Sequence, residues 1–187
     1  MMALLPMSIG VPGPAGSATS RFPGRTELTE LRTERLTLAP PTLEDAPFVL
    51  ELLNDPGWIA NIGDRGVRTL EQARAYIGER FAKTPWFVVR DAEGRPLGMC
   101  GLVERDGLDC PDIGYAYLER HSGKGYATEA ARAVLAYGRE TLGHQRIAAI
   151  TAPHNTPSQR VLEKIGLRFV QMINLPGHAE ASAYFTT

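Results

Sequence analysis

A chain of 187 residues, 43% hydrophobic and 22% charged, has the size and apolar content of one globular domain with its own core, and no room for a second. Twenty Lys and Arg against 21 Asp and Glu leave a net charge of −1, which excludes the broad positive field of a nucleic-acid or anionic-lipid binder; nucleic acid and membrane are therefore not expected partners. No run approaches the ~20 apolar residues of a membrane span. The two cysteines, Cys100 and Cys110, form no CxxC pair, and a reducing, cytoplasmic setting is expected.

Residues 1–30 read as a disordered tail: Pro6, Pro12, Pro14 and Pro23 alternate with Gly10, Gly13, Gly16 and Gly24. No Lys or Arg precedes Arg21 and Pro6 breaks the apolar stretch, so the segment does not read as a secretory signal. The folded domain is expected over 31–187. Arg35–Ala39 alternates polar and apolar before Pro40-Pro41 and predicts an edge strand. Acidic Glu44 and Asp45 ahead of Pro47 and Phe48, Val49, Leu52 and Leu53 predict a short helix that Asn54-Asp-Pro-Gly57 stops. Thr69-Leu-Glu-Gln72 is a capping-box pattern, and Ala73, Tyr76, Ile77 and Phe81 continue it as a helix over 70–82.

Trp86–Val89 and Leu97–Val103 are β-prone runs flanking Asp91-Ala-Glu-Gly94, which predicts an antiparallel hairpin. A further strand over Ile113–Leu118 runs into Arg120-His-Ser-Gly-Lys-Gly125, and Ala127, Ala130, Ala131, Val134 and Leu135 give the following helix one buried face to about Thr141. Arg146–Ile150 predicts a strand, Pro157–Ile165 a helix, and 167–172 with 181–185 a terminal hairpin.

Strand, then Arg120-x-x-Gly123-x-Gly125, then helix is an arrangement suited to anions. Glycines let backbone amides approach a ligand, the helix start adds orphan N–H groups and positive dipole, and Thr128 adds a hydroxyl. A pyrophosphate suits this chemistry. Walker A spacing is absent around Lys124, and a Rossmann fingerprint would need glycine where Thr128 stands, so dinucleotide binding ranks behind acyl-CoA.

Gly114-Tyr-Ala-Tyr-Leu118 followed by Arg120-x-x-Gly-Lys-Gly-Tyr-Ala-Thr-Glu-Ala130 resembles motif A of the GCN5-related N-acetyltransferases, and is similar to their RimJ/RimL-like branch. Asn155-x-x-Ser158-x-x-Val161-x-x-Lys164-x-Gly166 and the opening Leu31-Arg-Thr-Glu-Arg-Leu36 resemble further parts of that family. The resemblance covers about residues 32–187. It implies an α/β (α+β) fold with a central mixed, mostly antiparallel sheet of about six to seven strands and about four helices, in which a splayed pair of strands holds acetyl-CoA. The implied activity is transfer of an acetyl group to a primary amine, either a protein or peptide N-terminus or a small amine, by direct attack in a ternary complex. The other class of reading is a catalytically silent acyl-CoA sensor or interaction module.

On the same resemblance, Tyr115, Ala116 and Tyr117 would flank the thioester. Arg120, His121, Gly123, Lys124, Gly125, Tyr126, Ala127 and Thr128 would surround the pyrophosphate, and Asn155 and Ser158 would face the pantetheine and sulfur. Ser158 is the candidate for protonating the departing sulfur. Glu104 and Asp112 are the candidate bases, acting through water, with solvated strand-end charges as the alternative for each. Trp58 and Arg65 would line the acceptor pocket. His121, His144, His154 and His178 have no metal-site spacing, and no metal is expected. The chain is expected to be a monomer or homodimer.

Overall fold

The computed structural model describes residues 28–81, 84–176 and 180–187. Residues 1–27 of the expected tail and His178 lie outside the described residues, and Leu28 is already packed against the main core. Eight strands are present among the described residues: β1 (Leu31–Arg32), β2 (Thr37–Ala39), β3 (Trp86–Arg90), β4 (Pro96–Val103), β5 (Asp112–Tyr117), β6 (Ala148–Thr151), β7 (Arg168–Ile173) and β8 (Ser182–Thr186). They form one sheet in the order β1-β2-β3-β4-β5-β6-β8-β7, antiparallel throughout except for β5 and β6. The helices are α1 (Ala46–Leu53), α2 (Pro56–Ile62), α3 (Leu70–Tyr76), α4 (Tyr126–Glu140) and α5 (Thr156–Lys164).

Three elements differ from the sequence expectation. The additional strand, β1, is two residues long and closes a tight hairpin on β2: Thr33 N donates to Leu36 O at 2.9 Å, and Leu36 N donates back to Thr33 Oγ1 at 3.0 Å. Asn54-Asp-Pro-Gly57 ends α1 but also starts α2, because Asp55 Oδ1 accepts from Gly57 N at 2.9 Å and Pro56 occupies the first helical position. The helix predicted over 70–82 begins with its capping box, Gln72 N donating to Thr69 Oγ1 and Thr69 N to Gln72 Oε1. Its α-helical part ends at Tyr76, and a π-helical turn continues over Ile77–Phe81.

The hairpin of β3 and β4 turns as predicted. Asp91 Oδ1 accepts from Glu93 N and Arg95 N, so one carboxylate organises the turn. The terminal hairpin also forms, with an irregularity in register between Phe169 and Gln171.

Both faces of the sheet are covered. Leu38, Phe87, Cys100, Tyr115 and Tyr117 face α4 and α5, whereas Val88, Met99, Ala116 and Leu118 face α1, α2 and α3. Cys100 belongs to this packing, and its burial raises its thiol pKa, so it remains a neutral core residue. Leu108, Cys110, Ala148, Ile150 and Leu175 make a third, smaller cluster.

Close approach across the sheet fixes the site's outer wall. Gly98 lies opposite Tyr117, and a Cβ there would come within 2.4 Å of the Tyr117 ring and of Ala116 O. The missing side chain lets that ring lie flat and bring its hydroxyl to Tyr126 O at 3.3 Å, in the first turn of α4. Gly98→Ala is expected to lose about 1–3 kcal/mol of unfolding free energy through overpacking of a backbone-walled site, measured by chemical denaturation. Stability equal to the parent would show that the Tyr117 ring is not confined there.

Candidate active site

Parallel pairing between β5 and β6 occupies one register position among the described residues, Asp112 opposite Ala148, where Ala148 N donates to Pro111 O at 2.8 Å. The next outward β6 amide, Ile150 N, donates to the Asp112 side chain at 3.2 Å instead of to β5 backbone. Beyond this the strands diverge toward their carboxyl ends, where the turn leading to α4 and the loop leading to α5 also lie. Leu118 N donates to Leu97 O on the β4 side, so strand alternation turns the backbone groups of Ile113, Tyr115 and Tyr117 toward the gap.

Past the end of β5 lies a cavity of about 240 Å³ lined by Tyr117, His121, Gly123, Tyr126, Thr128 and, from α5, Arg160. Ser122, Gly125, Ala127, Pro157, Val161 and Lys164 complete its wall. Gly123 and Gly125 have φ of +77° and +82°, left-handed values that glycine adopts without strain, and Gly125 caps α4. The orphan N–H groups of the first turn of α4 face this end of the cavity.

The turn is clamped from a distant part of the chain. Glu129, in the first turn of α4, accepts from Thr33 Oγ1 at 2.6 Å, Arg35 N at 2.9 Å and Arg35 Nε at 2.7 Å. Arg35 also donates to Lys124 O at 3.1 Å and stacks on Tyr126 with its guanidinium carbon 5.0 Å from the ring centroid. Partial burial opposes the charge of Glu129, but the bonds from Thr33 and Arg35 outweigh it and hold the carboxyl below its ordinary range.

At the root of the split, Tyr115 and Ser158 are both buried, and the phenol lies 3.1 Å from Ser158 Oγ and donates to Ser158 O at 3.1 Å. Burial raises the Tyr115 phenol well above its usual range, with the bond to Ser158 opposing, so it remains a neutral hydroxyl. Asn155 caps α5, its Oδ1 accepting from Ser158 N at 3.2 Å, and the first turn of α5 thus holds Ser158 against β5.

Other expected site residues are placed elsewhere. Arg120 forms a bidentate pair with Glu51 of α1 and, with Lys124, lines a separate cavity of about 640 Å³ between α1 and the turn; His121 and Tyr126 line both cavities. Burial, Arg120 and Lys124 together lower the His121 pKa, so the imidazole is neutral at pH 7. Ala116 points its side chain into the α1–α3 core. Asp112 is 1% exposed, with Oδ2 held by Arg105 Nε and Nη2 at 2.9 and 2.7 Å and Oδ1 by Ile150 N. Burial raises its pKa against the pull of Arg105.

Glu104 lies exposed just past β4, at the closed end of the split; burial lowers the His144 pKa, and the charge of Glu104 opposes that shift without reversing it. The three catalytic candidates are therefore not gathered around one point. Trp58 is buried in the α1–α3 core, and Arg65 follows α2 with a desolvated guanidinium near Tyr76, Arg80 and Arg105.

A family model described as acetyltransferase (GNAT) domain matches residues 35–168. The chain belongs to the GNAT acetyltransferase family. An uncharacterized N-acetyltransferase of Bacillus subtilis, YnaD, is 34% identical over 142 residues, spanning 74% of this chain and 82% of that protein. The crystal structure of a GNAT-family acetyltransferase from Bacillus anthracis superposes with a TM-score of 0.73 at 29% identity, over 85% of this chain and 98% of that one. Mycobacterium smegmatis RimJ, solved in complex with CoA-disulfide, shares the fold with a TM-score of 0.69 at 21% identity, over 81% of each chain. This GNAT enzyme has the mixed sheet and flanking helices that its sequence predicts.

Sequence reading singled out the glycine turn, Asn155 and Ser158; it gave no site role to Arg160 and Lys164, which line the cavity, or to Thr33, Arg35 and Glu129, which form the clamp on the turn. Arg160 and Lys164 stand four apart on α5, which gave a signal of one basic helix face. The clamp spans more than ninety positions and left only the phrase Thr33-Glu-Arg35. Glu129→Gln is expected to lower stability by about 1–2 kcal/mol at pH 7, as charged hydrogen bonds are lost. A depressed carboxylate pKa contributes stability that is present above the unfolded value and is lost as pH falls through the folded one. The difference between parent and variant in urea unfolding should therefore close below about pH 4; a constant difference would locate the effect elsewhere.

Proposed function

We propose that this GNAT enzyme is an acetyl-CoA-dependent N-acetyltransferase, one catalytic domain over 31–187, acting in the cytoplasm on a primary α-amine of a peptide, protein or amino acid. The observation that carries the reading is the single-position pairing of β5 and β6, together with a glycine-turn cavity that Tyr117, at the end of β5, helps to line. The donor set fits CoA: backbone N–H groups at the start of α4, the Thr128 hydroxyl and the Arg160 and Lys164 cations suit a pyrophosphate. Unpaired strand edges suit pantetheine amides. The CoA complex of M. smegmatis RimJ supports the same choice of donor.

Acetyl-CoA supplies an activated acyl group, whose C–S bond breaks as the amine nitrogen bonds to the acyl carbon. Backbone N–H groups of β5 facing the gap are aimed where negative charge develops on the carbonyl oxygen. Ser158 delivers a proton toward the leaving sulfur and is restored by the proton that the nitrogen sheds on becoming an amide, while the neutral Tyr115 phenol, 3.1 Å from Ser158 Oγ, orients its hydroxyl. We assign Asp112 a positioning role, since Arg105 and the Ile150 amide occupy its carboxylate.

Glu104, exposed at the closed end, is no better placed as a base, and an α-amine lessens the need for one. Its pKa near ~8 leaves about a tenth neutral at pH 7, whereas a lysine amine near ~10.4 is almost wholly protonated. Trp58 and Arg65 shape the acceptor side from α2 and the segment after it.

The test is free-thiol release from acetyl-CoA against N-terminal peptides, amino acids, polyamines and aminoglycosides, with Gly123→Trp to fill the cavity. Turnover with α-amines, rising with pH through a midpoint near about pH 8 and lost in the tryptophan variant, is the expected result. Ser158→Ala should lower kcat by about 10²-fold with little change in the KM for acetyl-CoA. Unaltered kcat would remove Ser158 from proton transfer, and release only with polyamines would refute the α-amine class.

A further inference from the structure

β6 ends on Thr151, a side chain 1% exposed whose hydroxyl has no hydrogen-bond partner among the described residues. A buried hydroxyl without a partner is destabilising, and folded proteins retain few of them. Its direction follows from the strand. Ile147 and Ala149 pack in the cluster with α4 and α5, while Ala148 and Ile150 belong to the cluster on the opposite face. Alternation therefore places Thr151 on the α4–α5 face, which is also the face of Tyr115 and Ser158.

Its level in the split follows from the register. Asp112 lies opposite Ala148, so three residues further along each strand Tyr115 and Thr151 stand at the same height. The hydroxyls of Tyr115 and Ser158 bond each other, whereas that of Thr151, on β6, has no partner among the described residues.

We propose that the Thr151 hydroxyl donates a hydrogen bond to the thioester carbonyl oxygen of bound acyl-CoA, making Thr151 a catalytic residue across the gap from Tyr115. The inference rests on the acetyl-CoA reading above. No proton changes hands at Thr151. The bond strengthens as charge builds on that oxygen and so favours the transition state over bound donor. A carbonyl oxygen is the fitting partner because a neutral thioester sulfur accepts hydrogen bonds weakly.

Thr151→Val keeps the shape and removes the hydroxyl. Calorimetric titration compares acetyl-CoA with S-ethyl-CoA, a thioether of the same carbon skeleton that lacks the carbonyl. The parent should prefer acetyl-CoA, and the valine variant should lose about fivefold of that preference. kcat should fall about tenfold or more with the best acceptor, Tm should stay level or rise because a buried orphan is removed, and Thr151→Ser should restore the preference. An unchanged preference together with kcat within about twofold of the parent would overturn the inference alone. Failure of the parent to bind either CoA derivative would overturn the acetyl-CoA reading and this inference with it.

Discussion

The Asp112 carboxylate occupies the Ile150 amide, the one that would next bond to β5, and the architecture of the site follows from that substitution of side chain for backbone. Two parallel strands whose amides satisfied each other would close into ordinary sheet and leave nowhere for a ligand. With Ile150 N held by a side chain, β5 and β6 remain joined at their base while their carboxyl ends move apart. Arg105 makes this tolerable: a carboxylate 1% exposed needs a paired cation, and bonds from Nε and Nη2 supply one. A charge that looks catalytic in the sequence is thus bonded to Arg105 and to the Ile150 amide at the base of the gap.

A second constraint operates at the wide end. A glycine turn with two left-handed residues is permissive by nature, and permissive turns are poor binding sites unless something fixes them. Glu129 supplies the fixation by gathering Thr33, the Arg35 amide and the Arg35 guanidinium, while Arg35 reaches on to Lys124 O. The first hairpin of the chain therefore serves the helix that follows the turn. Tyr117 adds a contact from the sheet side through the space vacated at Gly98. The amides at the start of α4 are thereby held in one orientation.

The elements were legible wherever local chemistry decides them: the capping box at Thr69, the Asp91 turn, and the amphipathic face of α4. Misreadings arose where one signal has two meanings. Asn54-Asp-Pro-Gly57 carries a helix stop and a helix start together, and only the Asp55 bond to Gly57 N discloses the second. The spacing Asn155-x-x-Ser158 also matches what the structure shows locally, Asn155 capping α5 through Ser158 N. The charged candidates were not legible, because the direction of a long side chain depends on partners far away in sequence. Arg120 turns to Glu51 across sixty-nine positions, and the cavity receives its cations from α5 instead.

These long-range pairings also explain which polar groups are settled and which are not. Asp112, Glu129, Asn155 and Ser158 are buried or partly buried and each has its bonds within the protein, so they hold their positions with or without a ligand. Thr151 is buried too, with a hydroxyl that has no partner among the described residues. A site evolved for stability alone would place valine there, since the two side chains fill nearly the same space and valine leaves no polar group to desolvate. Retaining a small destabilisation in an otherwise satisfied wall is what is expected where a hydroxyl's acceptor arrives with the substrate.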